Sequence, residues 1–114
     1  MSRLTSYLVV ALFVLVACAM PSFAETYGVS DLKVLADILA DKANPGDVIE
    51  LEYGTYYLEV PRMNILRSGT PEAPITIRGI IKDGKRPVID ASKVNVKRCV
   101  FSVQQGVHDI VFEN

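Results

Sequence analysis

Two aspartates close strand-like runs, Asp90 in Pro87-Val88-Ile89-Asp90 and Asp109 in Val107-His108-Asp109-Ile110. Carboxylates on one shared face are the material of a divalent-cation site. An Asp at a strand end is, however, ordinarily a turn residue that bonds its own backbone, and both are read that way. His108 is the single histidine, the residue type most used for proton transfer, but the sequence fixes no partner for it and it reads as a loop residue. Lys82, Lys85, Arg86, Lys93, Lys97 and Arg98 cluster around Pro87–Asp90. They form either a groove wall attractive to a polyanion or, with Asp83 and Asp90 interspersed, the solvated side of two loops, which is the plainer reading. Tyr53, Tyr56 and Tyr57 have the character of a sugar-stacking platform, although strand alternation buries one of Tyr56 and Tyr57 and exposes the other. No phosphate-binding loop, dinucleotide fingerprint, zinc spacing, EF-hand loop or nucleophile elbow occurs. The sequence therefore assigns no catalytic, cofactor-binding or metal residue.

The elements that must position these groups begin after an address. Arg3, the apolar run Tyr7–Ala17 and Ser22-Phe23-Ala24 have the order of a secretory signal peptide cleaved after Ala24. Pro21 interrupts the run short of the roughly 20 apolar residues of a membrane span. Within the same segment, Leu15-Val16-Ala17-Cys18 is similar to a lipobox, which would leave Cys18 lipidated and the chain membrane-anchored. The expected domains are thus a signal peptide over 1–24 and a folded unit over 25–114, secreted, periplasmic or on the cell surface. Either route leaves Cys99 without a partner, so no disulfide framework is expected and Cys99 reads as a small buried hydrophobe.

The formal charge of −1 becomes −2 without the first 24 residues, because Arg3 is their only charge. Nucleic acid is not the expected partner of such a chain.

Ser30 is a fair N-cap, and Leu32, Leu35, Ala36, Leu39 and Ala43 mark one stripe of a helix over 31–43, ended by Asn44-Pro45-Gly46. Strand-like runs follow at Val48–Glu52, Tyr56–Val60, Ile75–Arg78, Val88–Asp90, Cys99–Val103 and Asp109–Glu113, with a polar loop after Val60. Matching positions lie 28 residues apart from Ile49 to Ile77, 24 from Ile77 to Phe101 and 22 from Ile89 to Val111, a period at which solenoids make one coil. Hairpin dipeptides are missing apart from Asp83-Gly84, which favours parallel stacking over an antiparallel sandwich.

Pro45-Gly46-Asp47-Val48-Ile49-Glu50-Leu51, Gly54-Thr55-Tyr56, Gly69-Thr70-Pro71-Glu72-Ala73-Pro74-Ile75-Thr76-Ile77-Arg78-Gly79, Pro87-Val88-Ile89-Asp90 and Val107–Asn114 together resemble the N-terminal portion of pectin-lyase-like proteins, the group that includes pectate lyases, alginate lyases and chondroitinase B. The resemblance implies an all-β fold, a right-handed parallel β-helix of about three coils with ladders drawn from Ile49, Ile77, Ile89, Phe101 and Phe112 or Val111. The helix over 31–43 would be its N-terminal cap. Relatives of that kind carry more coils, so the chain reads as the N-terminal portion of a longer protein, with an exposed last coil prone to self-association. The implied partner is an acidic polysaccharide, and Ca²⁺ belongs to full-length relatives, whose catalytic residues have no counterpart here. The other function class is a non-catalytic surface or envelope protein, with or without a lipid at Cys18, with an adhesion or interaction role.

Overall fold

The computed structural model describes residues 24–95 and 99–114. The expected signal peptide, with Cys18, lies outside the described residues except for Ala24, as do Lys97 and Arg98.

Eight short strands follow in chain order: β1 (Thr26–Val29), β2 (Val48–Leu51), β3 (Thr55–Tyr57), β4 (Met63–Ile65), β5 (Ile75–Gly79), β6 (Val88–Asp90), β7 (Phe101–Val103) and β8 (Ile110–Glu113). Between β1 and β2 the chain forms helix α1 (Leu32–Asp37), continued by a π-helical turn over Ile38–Lys42. The strands make a four-stranded sheet of order β1-β2-β5-β8 and two two-stranded sheets, β3-β6 and β4-β7. Every pairing between them is parallel.

Parallel neighbours need a crossover, and α1 with its π turn supplies the one between β1 and β2. Asp31, not Ser30, caps this helix: its carboxylate accepts from the Lys33 N–H at 2.7 Å. Leu35, Leu39 and Ala43 are buried as the stripe requires, and Ile38 joins them. The π turn explains the extra residue. Ala43 N–H donates to the Ile38 carbonyl at 2.8 Å, five residues back, and the wider turn brings Ile38 and Leu39 together onto the core side. The carbonyls it leaves over are taken up from outside, Leu39 by the Leu66 N–H at 3.1 Å and Ala43 by Arg67 Nε at 2.8 Å.

The expected all-β solenoid is corrected by this arrangement. The strands fall into three separate small sheets, no closed coil is found among the described residues, and the helix connects strands instead of capping a stack. The architecture is mixed α/β. Short strands bounded by Gly, Pro and Asp fix where the chain turns; they do not fix whether successive sheets close around one axis. The register shows the same difference in detail. Tyr27, Ile49, Ile77 and Phe112 form one row across the large sheet, whereas Ile89 pairs with Tyr56 and Phe101 with Met63 in the two small ones. The 28-residue spacing from Ile49 to Ile77 is thus a true ladder step, while Ile77–Phe101 and Ile89–Val111 are not.

Two strands lie where none was expected, β1 ahead of the helix and β4 inside the polar loop. In β4, Met63 and Ile65 are buried on either side of exposed Asn64. The core gathers Val29, Ile49, Leu51, Ile75 and Ile77 of the large sheet with Leu58, Met63 and Ile65 and the helix residues above. Gly69 closes the loop onto it: a Cβ there would lie 2.6 Å from the Asp109 carbonyl oxygen and 2.6 Å from the Ile75 nitrogen, so no larger residue fits without backbone movement.

Candidate functional site

The chemistry-bearing residues separate into three places. The first is the connection from β5 to β6. Lys82 and Lys85 exchange backbone hydrogen bonds at 2.9 Å in both directions, and the two residues between them, Asp83 and Gly84, have φ of 51° and 73°. Positive φ at both central positions is the type I′ class of two-residue turn, for which Asp-Gly is a preferred pair. The turn sets Lys82 and Lys85 opposite each other, with Arg86 next in the chain. All three are exposed, and among the described residues none has a carboxylate within ion-pairing distance. Like charges placed side by side repel, an arrangement that an anionic ligand would relieve.

At the other end of β6 the chain turns at Asp90, whose Oδ1 accepts from the Ser92 N–H at 2.8 Å. Bonding to Ser92, side chain first and backbone second, holds the Asp90 carboxyl below its usual range, with the Lys93 charge adding to the effect. Lys93 then lies with its Nζ 4.0 Å from the centre of the Tyr57 ring on the neighbouring strand β3. Tyr56 is half-buried and its hydroxyl donates to the Glu52 carbonyl at 2.7 Å; Tyr57 is 49% exposed. Alternation therefore leaves Tyr57 outward, where one face already carries a lysine. Tyr53 is also exposed. Strand β6 thus has cations at both ends, Lys82, Lys85 and Arg86 before it and Lys93 after it.

The second place is the entry to β8. His108 Nδ1 and Asp109 Oδ2 are 2.7 Å apart, so the histidine has a partner that its neighbours in sequence did not reveal as one. Asp109 adopts φ of 57°, and this left-handed backbone turns its side chain back toward the ring. The segment is pinned from below: Gly69 and Ile75 N–H groups donate to the His108 and Asp109 carbonyls at 3.1 and 3.0 Å, and the His108 N–H donates to Ser68 Oγ at 3.2 Å. Ser68 is therefore spent on the backbone of His108 and not on its ring. A His–Asp pair is the geometry of general acid–base catalysis, but among the described residues no nucleophile is hydrogen-bonded to it.

Asp90 and Asp109 do not form a joint site. Asp90 belongs to the β3-β6 sheet and bonds Ser92, while Asp109 leads into the large sheet and bonds His108. Among the described residues no three His, Cys, Asp or Glu side chains converge as metal ligands. Cys99 is half-exposed, not buried, because β7 starts only at Phe101.

The third place is the outer face of the large sheet, where Glu50, Arg78 and Glu113 share one row of the ladder. Arg78 Nε bonds Glu113 Oε2 at 2.6 Å and its Nη1 lies 3.9 Å from Glu50 Oε2. The bond to Glu113, above all, raises the guanidinium pKa. This cation is neutralised and unlike the turn cations it is not available to a ligand. Beside it opens an apolar cleft of about 340 Å³ lined by Leu35, Leu51, Ile77, Ile89, Phe101 and Phe112.

No described helix is long and apolar enough to cross a membrane. Compared with family models, with curated proteins and with solved structures, the chain matches none of them.

Proposed function

We propose that this is an exported protein that binds an acidic polysaccharide through the cations flanking β6. The observation that carries the reading is the Lys82–Arg86 turn, which gathers three exposed cations with no acid partner among the described residues. The resemblance of the Gly-Asp-Val-Ile-Glu-Leu and Gly-Thr-Pro-Glu-Ala-Pro-Ile motifs to acidic-polysaccharide lyases supports the same ligand class. The proposed role is recognition. A triple reversal, K82E/K85E/R86E, removes the attraction while leaving the turn residues Asp83 and Gly84 in place. Binding to polygalacturonate should fall at least about tenfold, the equivalent of about 1.4 kcal/mol; unchanged binding would refute the assignment to this turn.

A second reading, an interaction role on a surface or envelope with or without lipid at Cys18, is favoured by one observation. Among the described residues strand β8 pairs with β5 on one side only, and Phe112 on it is 50% exposed. An open parallel edge is a template for another chain. Sedimentation of the protein over a concentration series separates the two readings, since self-association that persists in the triple reversal belongs to the edge and not to the turn.

A further inference from the structure

Among the described residues Asp47 is the only charged side chain that is buried, with 1% exposure. It follows the Asn44-Pro45-Gly46 stop of the helical segment, and its carboxylate is held at both oxygens: Oδ2 accepts from the Asn44 N–H and Oδ1 from the Glu25 N–H, each at 2.8 Å. Neither donor carries charge, and no Lys, Arg or His of the described residues lies within ion-pairing distance. The other titratable groups in this neighbourhood are the Glu25 carboxylate, the Tyr27 phenol and the Arg67 guanidinium, and the last is spent on the Ala43 carbonyl at 2.8 Å and Asn44 Oδ1 at 3.0 Å and is not paired with Asp47. A buried carboxylate lacking a counter-charge is costly. The two backbone hydrogen bonds offset part of that cost, and a cation at the same place would offset more.

The nitrogen that faces Oδ1 belongs to residue 25, the residue directly after the small-residue cleavage signal Ser22-Phe23-Ala24. We propose that Asp47 is a docking site for the α-ammonium group of a mature N-terminus at Glu25. Hydrolysis by a membrane-bound signal peptidase breaks the Ala24–Glu25 C–N bond. Water supplies the hydroxyl that completes the Ala24 carboxylate, and the Glu25 nitrogen takes up protons to become –NH₃⁺. The neutral amide donor at 2.8 Å then becomes the cationic partner of a charge-assisted hydrogen bond. The new terminus does not have to search for its place, because the Val48 N–H holds the Glu25 carbonyl at 2.9 Å and keeps residue 25 in line with β1. Removal of the leader would in this way complete the core, so that the processed chain is more stable than the same chain with a neutral group at position 25.

The inference rests on the export reading for the cut itself, and the two are tested separately. The full chain is exported from a secretion-competent host and the product's intact mass is measured; a start at Glu25 is expected, and a start at a lipidated Cys18 or an uncut chain would overturn the processing step. On the product starting at Glu25, Nα-acetylation keeps an N–H donor but removes the charge. It should lower Tm by about 4–8 °C, the effect of about 1 kcal/mol in a domain of this size, and should have little effect in Asp47→Asn. Equal shifts in both proteins, or none in the native sequence, would overturn the docking. If Asp47→Asn does not fold, titration of the native α-amine decides: a pKa above the ordinary 7.7–8.0 or so is expected, and a value within or below that range contradicts the ion pair.

Discussion

Phe101 and Phe112 bring their ring centroids to 5.3 Å with planes tilted by 56°, joining β7 and β8, which belong to different sheets. Such a tilted pair is worth about 0.5–1.5 kcal/mol beyond the area it buries. Both rings also line the apolar cleft, so the pair ties the end of the large sheet to the smaller β4-β7 sheet. Phe112→Ala should destabilise the protein by about 1–3 kcal/mol, below the usual range for a core phenylalanine because half of the ring is exposed. Urea denaturation followed by circular dichroism gives the value, and a change under about 0.5 kcal/mol would show that the sheets are held together without it.

Gly69 makes a sharper prediction. Its position between the Asp109 carbonyl and the Ile75 nitrogen leaves no space for a methyl group, and the same loop anchors the His108–Asp109 segment. Gly69→Ala should cost about 1–3 kcal/mol through overpacking and should loosen the segment leading into β8. Hydrogen exchange at Ile75, whose N–H donates to Asp109, reads the second effect: faster exchange is expected, and protection equal to the native protein would contradict it.

Asp90 predicts an acid effect with a definite sign. Its folded-state pKa lies below the ordinary value of about 3.9. The associated stability is therefore complete above that value and is lost as pH falls through the lower folded one. Ser92→Ala should raise the Asp90 pKa toward the ordinary value, and Lys93→Met should do so to a smaller degree. Carboxyl NMR titration measures both; an unchanged pKa in Ser92→Ala, which keeps the backbone N–H bond, would show that the Ser92 hydroxyl is not the cause.

Arg78 sits between two carboxylates on an exposed face, so its worth is small and depends on salt. Arg78→Gln should lower the thermal midpoint only slightly, and high salt should reduce the difference between variant and native protein in thermal denaturation. A large, salt-insensitive loss would mean that the arginine's packing matters more than its charge.

The reach of the sequence is visible residue by residue. Ile49 and Ile77 were legible as a ladder pair because both sit in alternating runs entered through turn residues, whereas Asp83-Gly84 stood out only as the nearest approach to a hairpin dipeptide and does form a two-residue turn. Strand β4 was not, since three residues between Arg62 and Leu66-Arg67 carry too little alternation to stand out from a polar loop. The π turn left no mark either: one extra residue per turn changes which side Ile38 faces without changing composition. The closure of the sheets was misjudged for a related reason, because strand lengths and corners are local properties whereas the division into three sheets depends on contacts distant in sequence. At the candidate site, the exposed cations were legible as a cluster, but the pairing of His108 with Asp109 depends on a left-handed backbone at Asp109 that nothing in the sequence demanded.

The most direct test of the proposed function is calorimetric titration of the native protein with polygalacturonate and, in parallel, with a neutral dextran of similar length, at low and at physiological salt. The account predicts heat with polygalacturonate alone and binding that weakens as salt rises. Equal binding to the neutral polymer, or no binding to the acidic one at low salt, would contradict it.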